Sequence, residues 1–219
     1  MAAPVPKFTI RRLSLYLRQL ETLSKRGVTT TKSRDLAASL ELTDAQVRRD
    51  FACFGQFGRP GIGYHVNSLI DNIKTILGIT QVLPVALVGV GNLGRALLMF
   101  KGFLPRGFLI KAAFDNDPAK IGQHVGDVRI QPVQEMASTI PSLGIQLAII
   151  STTAENVNKT AEQLVSAGVR GILNFTAAQL RVPPNVEVTN VDLAVLLEGL
   201  AYYVNLPQEK RKEPPQRVP

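Results

Sequence analysis

The segment "LPVALVGVGNLGRALLMF" (83–100) restricts the fold more than any other part of the chain. An apolar run, "VALV", meets glycines at Gly89, Gly91 and Gly94 and passes into a helical stretch, "NLGRALLMF". G-x-G-x-x-G between a strand and a helix meets three needs: a sharp turn, backbone approach to a pyrophosphate, and close packing of helix on strand. The glycines alone are a weak signal. Asp115 strengthens it: this is the twenty-first residue after Gly94, at the end of a second apolar run, "FLIKAAF", where a carboxylate can take ribose hydroxyls.

Further apolar runs, "QLAIIS", "GILNF" and "VEVTN", alternate with amphipathic stretches. Runs this continuous argue for a parallel sheet covered on both faces, a Rossmann-type doubly wound α/β domain over 81–189. Its dinucleotide site is expected at Gly89, Val90, Gly91, Asn92, Leu93 and Gly94, with phosphates against the unpaired N–H groups of the helix N-terminus. The Asp115 carboxylate repels a 2′-phosphate and so favours NAD(H) over NADP(H), a distinction that Lys120 in "DNDPAKIG" softens. The bland rival is a glycine turn that binds nothing.

A chain of 219 residues exceeds the usual single domain. Residues 1–80 read as a separate unit. Ile10, Leu13, Leu17 and Leu20 recur at helical spacing from Thr9 to about Arg26, and "TTTKSRDLAASLEL" supplies a second helix with Thr31 or Ser33 as its cap. "TDAQ" (43–46) matches a capping box and opens a third helix. There Val47, Phe51 and Phe54 share one face, while Ala45, Gln46, Arg49 and Ala52 share the other with Arg48 on its flank. Two short helices of this kind form a helix-turn-helix, in which Arg takes guanine edges and Gln adenine edges. "FGQFGRPGIGYHV" then reads as a tight hairpin or wing with Arg59 at its tip and Tyr64 following. Placement of Arg59 in a minor groove or on phosphates competes with a plain connecting hairpin. The charge agrees with nucleic acid: of a net +8, residues 1–80 carry twelve Lys/Arg against six Asp/Glu, an excess of +6.

Other classes are disfavoured. Cys53 is the only cysteine, which excludes an intrachain disulfide or cysteine zinc site; no apolar run spans a bilayer and no secretory signal is seen, so a cytoplasmic protein without a membrane role is expected. His65 and His124 lie where a dehydrogenase acid or base is not expected, so no catalytic or metal residue is assigned. The run Val191–Leu206, apolar nearly all round, must be buried, either within its own chain or against a second subunit. An NAD-dependent dehydrogenase with a basic N-terminal module, and a dinucleotide-binding protein with a protein-docking front end, remain rival readings.

"YLRQLETL", "QVRRDFACFGQFGRPGIGY", "LVGVGNLGRAL", "FDNDPAKIG", "GILNF" and "NVDLAVLLEGL" together resemble the Rex family of redox-sensing transcriptional repressors over nearly the whole chain. The resemblance implies a homodimer whose winged-helix domains (1–80) bind palindromic double-stranded operator DNA. It also implies Rossmann domains that bind NADH or NAD⁺, a helix exchanged between subunits (190–207), and release from DNA when NADH binds. The tail 208–219 is expected to be disordered. Carried onto this chain, Gln46, Arg48, Arg49, Arg59 and Tyr64 fall in the DNA-binding segment. Gly89 to Gly94, with Asp115 and Lys120, fall in the dinucleotide site, and Asp192 matches an acid that pairs with Arg18 in one of two states. Three departures stand out. Arg59-Pro60 replaces a basic pair, Phe100 stands where the family often has Tyr, and Leu193 where it often has Phe.

Overall fold

The computed structural model describes residues 5–58 and 62–207, and the chain divides into two units that part between Gln81 and Val82. In the first unit α1 (Lys7–Lys25) is followed by β1 (Thr30–Thr31), α2 (Ser33–Ser39), α3 (Asp44–Ala52), β2 (Tyr64–His65) and α4 (Val66–Leu77). Leu13, Tyr16, Leu17 and Leu20 of α1 meet Leu36, Val47, Phe51, Leu69 and Ile73 in one core. Phe51 sits at its centre, with edge-on aromatic contacts to Tyr16, Phe57 and Tyr64. Gly78, in the left-handed region, ends α4.

Several local expectations are corrected. α1 begins two residues early, behind Pro6, and turns Thr9 inward while Ile10 faces solvent. The cap of α2 is neither Thr31 nor Ser33: Lys32 holds that position, and Thr31 is buried in β1. Half of the capping box forms, with Thr43 Oγ1 accepting the Gln46 backbone N–H, but the Gln46 side chain turns to Asp50 instead. The glycine-rich segment does not pair with itself among the described residues. β2 pairs antiparallel with β1, Thr30 opposite His65 and Thr31 opposite Tyr64, so the ribbon spans the whole helix-turn-helix. Gly63 permits this, because a Cβ there would lie 2.4 Å from the Thr31 carbonyl oxygen. Arg59 and Pro60 lie outside the described residues.

The second unit contains β3 (Leu83–Val88), α5 (Asn92–Leu98), β4 (Phe108–Asp115), β5 (His124–Val125), β6 (Val128–Pro132), α6 (Met136–Ser142), β7 (Leu147–Ile150), α7 (Val157–Ser166), β8 (Gly171–Asn174), β9 (Glu187–Asn190) and α8 (Leu193–Val204). Strand order is β5-β6-β4-β3-β7-β8-β9, parallel throughout except for the β5–β6 pair. The reversal of direction falls between β3 and β7. That is the switch point where open α/β sheets bind ligands. β5 and β6 are additions to the sequence reading, and His124 is a strand residue opposite Arg129.

Alternate side chains build two cores. Ala86, Val88, Ala112, Phe114, Ala148 and Ile150 face α6 and α7, while Val85, Leu87, Ile110, Ala113 and Ile149 face the side of α5. A bulge at Lys111 keeps Ile110 and Ala113 on one side. The α5 side is only partly covered: an apolar cavity of about 390 Å³ lined by Val85, Phe103, Phe108, Ile110, Ile149 and Leu173 lies open over the sheet. No residue of α8 is buried in its own protomer; Leu197 and Leu200 are 66 % and 60 % exposed.

Candidate functional site

At the C-terminal ends of β3, β4 and β7 lies a cavity of about 400 Å³, lined by Gly89, Gly91, Asp115, Asn116, Lys120, Ser151, Thr152 and, from α7, Lys159 and Gln163. Its glycines divide the labour that the spacing predicts. Gly89 adopts φ +94°, a left-handed turn that other residues rarely take, and Ser151 Oγ donates to its carbonyl at 2.8 Å. A Cβ on Gly94 would stand 2.1 Å from that same carbonyl, so the helix lies directly against the turn. Gly91 differs. Its φ of −78° is ordinary and a Cβ there would meet no protein atom within 4 Å. Nothing within the chain therefore bars a side chain at that position, and the loop backbone stands open toward the cavity, as close approach by a pyrophosphate would need.

Asp115 is 5 % exposed, yet held by three donors. Its Oδ2 accepts the Val90 N–H at 2.7 Å and Lys120 Nζ at 3.2 Å; its Oδ1 accepts the Asp117 N–H at 2.9 Å. Burial by itself pushes the carboxyl pKa up, and these hydrogen bonds outweigh it, holding the group below the usual carboxylate range. The acid thus fastens the glycine loop from beneath. An ionised carboxylate has about four acceptor positions, so room remains on Oδ1 for a ribose hydroxyl. Val90 is fully buried, whereas Asn92 and Leu93 open α5 on the exposed side of the loop. Sequence reading overlooked Ser151, Lys159 and Gln163, because the fourth parallel strand and the helix after it carry no fixed motif.

In the first unit a groove of about 620 Å³ runs beside α3, lined by Lys32, Ser33, Arg48, Gln56, Gly58 and Tyr64. Arg48 is exposed and paired with Asp44 one turn earlier on α3, and its Nη1 also points at Ser33 Oγ, 3.5 Å away. Arg49 is exposed and leans on Gln46 Oε1 at 3.5 Å. Tyr64 is half-buried beneath this surface, its hydroxyl pKa raised by burial. Thus Gln46, Arg48, Arg49 and Tyr64 fall within one unit around α3, while Arg59 lies outside the described residues. Lys32 and Ser33, at the start of the first helix of the helix-turn-helix, join the groove. That helix is the one that crosses the nucleic-acid backbone in such motifs, and its opening residues were the available signal.

Beneath α3 lies a feature that the sequence did not suggest. Asp50 is 1 % exposed and receives Arg12 Nε at 2.6 Å, Arg12 Nη2 at 2.7 Å, Tyr16 Oη at 2.7 Å and Gln46 Nε2 at 2.8 Å, with Thr9 Oγ1 at 3.3 Å. Burial pushes its pKa up and the hydrogen bonds from Arg12, Tyr16 and Gln46 bring it below the usual range; Arg12 in turn is raised by Asp50.

Arg18 is exposed on α1. Asp192 caps α8, its Oδ1 accepting the N–H groups of Ala194 and Val195, while its Oδ2 takes no hydrogen bond among the described residues. Phe100 and Leu193 are both exposed, Phe100 edge-on to Phe103. Among the described residues no cluster of His, Cys, Asp and Glu could hold a metal ion, and no helix is long and apolar enough to cross a membrane.

Family models match the chain in two stretches: a putative DNA-binding protein N-terminus over residues 4–52 and a CoA binding domain over residues 80–178. The redox-sensing transcriptional repressor Rex of Desulfitobacterium hafniense is 46 % identical over 200 residues, covering 91 % of this chain and 95 % of that protein. Its counterpart from Carboxydothermus hydrogenoformans is 42 % identical over 200 residues, with 91 % and 96 % covered. Among solved structures, RSP in complex with beta-NAD⁺ and operator DNA superposes with a TM-score of 0.88 at 35 % identity, over 93 % of this chain and 94 % of that one. RSP in complex with beta-NADH gives 0.81 at 34 % identity, over 92 % and 94 %.

Proposed function

The chain belongs to the Rex family of redox-sensing transcriptional repressors, and we propose that its glycine-loop cavity and its α3 surface are the two ends of one NADH-operated switch. It is a redox-sensing transcriptional repressor and not an enzyme, which sets aside the dehydrogenase reading. A repressor acts on DNA in the cell interior; the cytoplasm is the compartment proposed.

In this reading residues 1–80 grip DNA and 81–189 hold NAD(H) as an effector, with Gly89, Val90, Gly91, Asn92, Leu93 and Gly94 cradling pyrophosphate. Asp115 takes the adenosine ribose, with Lys120 fixing its carboxylate. Gln46, Arg48 and Arg49 enter the major groove, Tyr64 supports them, and Arg59 reaches the flanking backbone or minor groove. The observation that carries the reading is the pairing, in one chain, of a loop whose Gly91 faces no protein atom with a basic helix-turn-helix.

Residues 190–207 form the dimerisation element. α8 is exposed over its whole length while the sheet of the same protomer keeps an open apolar cavity. A second copy that inserts its α8 satisfies both surfaces at once in a symmetric exchange. The two α3 helices of such a homodimer then address the half-sites of a palindromic operator. Only a difference in affinity of NADH and NAD⁺ for the DNA-competent and closed dimers shifts operator occupancy. Arg18 and Asp192 report that choice by pairing in one arrangement and separating in the other.

A gel-shift titration tests this. Operator binding by the full chain is expected to weaken as NADH is added and to recover with excess NAD⁺; indifference to both forms overturns the proposal.

A further inference from the structure

The buried acid beneath α3 lies outside every role assigned so far. Asp50 has five donors within 3.3 Å, drawn from three residues of α1 and one of α3. Its carboxylate offers about four acceptor positions, so these contacts saturate it. The ion pair with Arg12 keeps it charged, and a charged carboxylate only accepts. That has a consequence for Gln46, one turn earlier on α3.

The two ends of a glutamine amide are ordinarily interchangeable: it can present either its carbonyl or its NH₂ to a base edge. Here the Nε2 group lies 2.8 Å from Asp50 Oδ1, and the reverse orientation would set two acceptor oxygens against each other in a partly buried place. The NH₂ therefore faces inward. Oε1 faces the other way, toward Arg49 Nη1. Gln46 stands in the first turn of α3, the part of a recognition helix that meets base edges.

We propose that Asp50 is a positioning residue for operator recognition: by fixing the amide of Gln46 with its carbonyl outward, it makes Gln46 select a base that offers an amino group in the major groove. Adenine N6 and cytosine N4 carry such a donor; guanine O6 and thymine O4 are acceptors and face Oε1 with like polarity. Gln46 thus discriminates amino-bearing from keto-bearing bases, and Asp50, which touches no DNA, sets the sign of that preference. Arg12 and Tyr16 extend the same control from α1, since they hold Asp50 in place.

This inference rests on α3 being the helix that enters DNA, and the experiment separates the two. Full-length wild type, Gln46→Ala, Asp50→Asn and the double variant are each used to select from a randomised duplex library, with thermal melting as a check on folding. Failure of the wild type to enrich any sequence counts against the DNA-binding reading itself. Given enrichment, Gln46→Ala is expected to flatten one base pair per half-site. Since every pair carries one amino and one keto group in the major groove, that pair is then probed in the selected duplex with base analogues. Deleting its exocyclic amino group is expected to weaken wild-type binding by roughly tenfold, while deleting its keto oxygen is not. A wild-type loss on deleting the keto oxygen and none on deleting the amino group overturns the proposal. So does a Gln46→Ala profile identical to that of the wild type.

Asp50→Asn frees the amide to turn over, and is expected to lose the preference at that same position while other positions keep theirs. In the Gln46→Ala background it should change the profile no further. A purely structural role for Asp50 predicts a uniform loss of affinity at every position, equal in both backgrounds, and that result overturns the proposal. If Asp50→Asn fails to fold, Gln46→Ala with the analogue duplexes still decides the matter, because it leaves the Arg12–Asp50–Tyr16 contacts in place and shows which of the two groups Gln46 uses.

Discussion

Leu200→Ala tests the proposed exchange of α8, because it separates the stability of the single chain from that of the proposed dimer. Leu200 is 60 % exposed in its own chain, and removing its side chain changes the isolated fold by no more than about 0.5 kcal/mol. In an exchanged dimer the same side chain enters an apolar cavity of the partner, where a leucine-to-alanine change costs about 2–5 kcal/mol. Two-fold symmetry applies the loss twice, so even the lower figure gives about 4 kcal/mol, a roughly thousandfold weaker dimer. Sedimentation velocity over a concentration series measures the dissociation constant, and thermal melting of dilute, monomeric protein checks the fold. Operator affinity is expected to fall with the dimer, since each half-site is then met singly. A shift in dissociation constant below tenfold would refute the argument, for it would leave α8 outside the interface.

Further expectations concern the two sites. Gly91→Ala should leave the melting midpoint unchanged and weaken NADH binding at least about tenfold by calorimetry, because its Cβ meets only what the loop binds; Gly94→Ala should instead destabilise the fold by about 1–3 kcal/mol, its Cβ falling 2.1 Å from the Gly89 carbonyl. Asp115→Ala is expected to cost dinucleotide affinity by about tenfold to a hundredfold while DNA binding without ligand persists, and equal loss of both would show its role to be misassigned. The native pKa values of Asp50 and Asp115 are both lowered, so their stabilisation is complete above the unfolded carboxylate value near 4 and disappears as pH falls through the lower native value. The melting midpoint should therefore decline on acidification, less steeply in Arg12→Met; an identical acid limb in that variant would contradict the linkage.

What the sequence discloses follows from how local each constraint is. The loop at Gly89–Gly94 is legible because turn, approach and packing all act within six residues. "VRIQP", which forms β6, is not, since Arg129 and Gln131 break the apolar run and pairing with the neighbouring β4 and β5 makes a strand of it. Asp50 shows the same limit more sharply. An acid between Arg49 and Phe51 reads as surface charge, and its burial depends on Arg12, thirty-eight residues away. Gln46 was read as free to face DNA because the amide's other partner could not be seen from α3 alone. In α8 the apolar composition announces burial, but that the helix stands exposed in its own chain beside an open apolar cavity over the sheet is visible only in the fold.

In the proposed homodimer the energy needed for switching is modest, because two protomers would share it. Moving a two-state dimer from 1:99 to 99:1 takes roughly ten-thousandfold discrimination between states, about 5.5 kcal/mol. Two dinucleotide sites divide that into about a hundredfold each, within the range of one charge-assisted hydrogen bond gained or lost per protomer. Asp192 is suited to supply it. Its Oδ1 alone carries the cap of α8, so in the proposed switch Oδ2 would be free to take and release Arg18 without unwinding that helix. A carboxylate with both oxygens committed to the cap would couple each switching event to fraying of the proposed dimer interface; dividing the two tasks between its oxygens would let the proposed dimer switch while its interface holds.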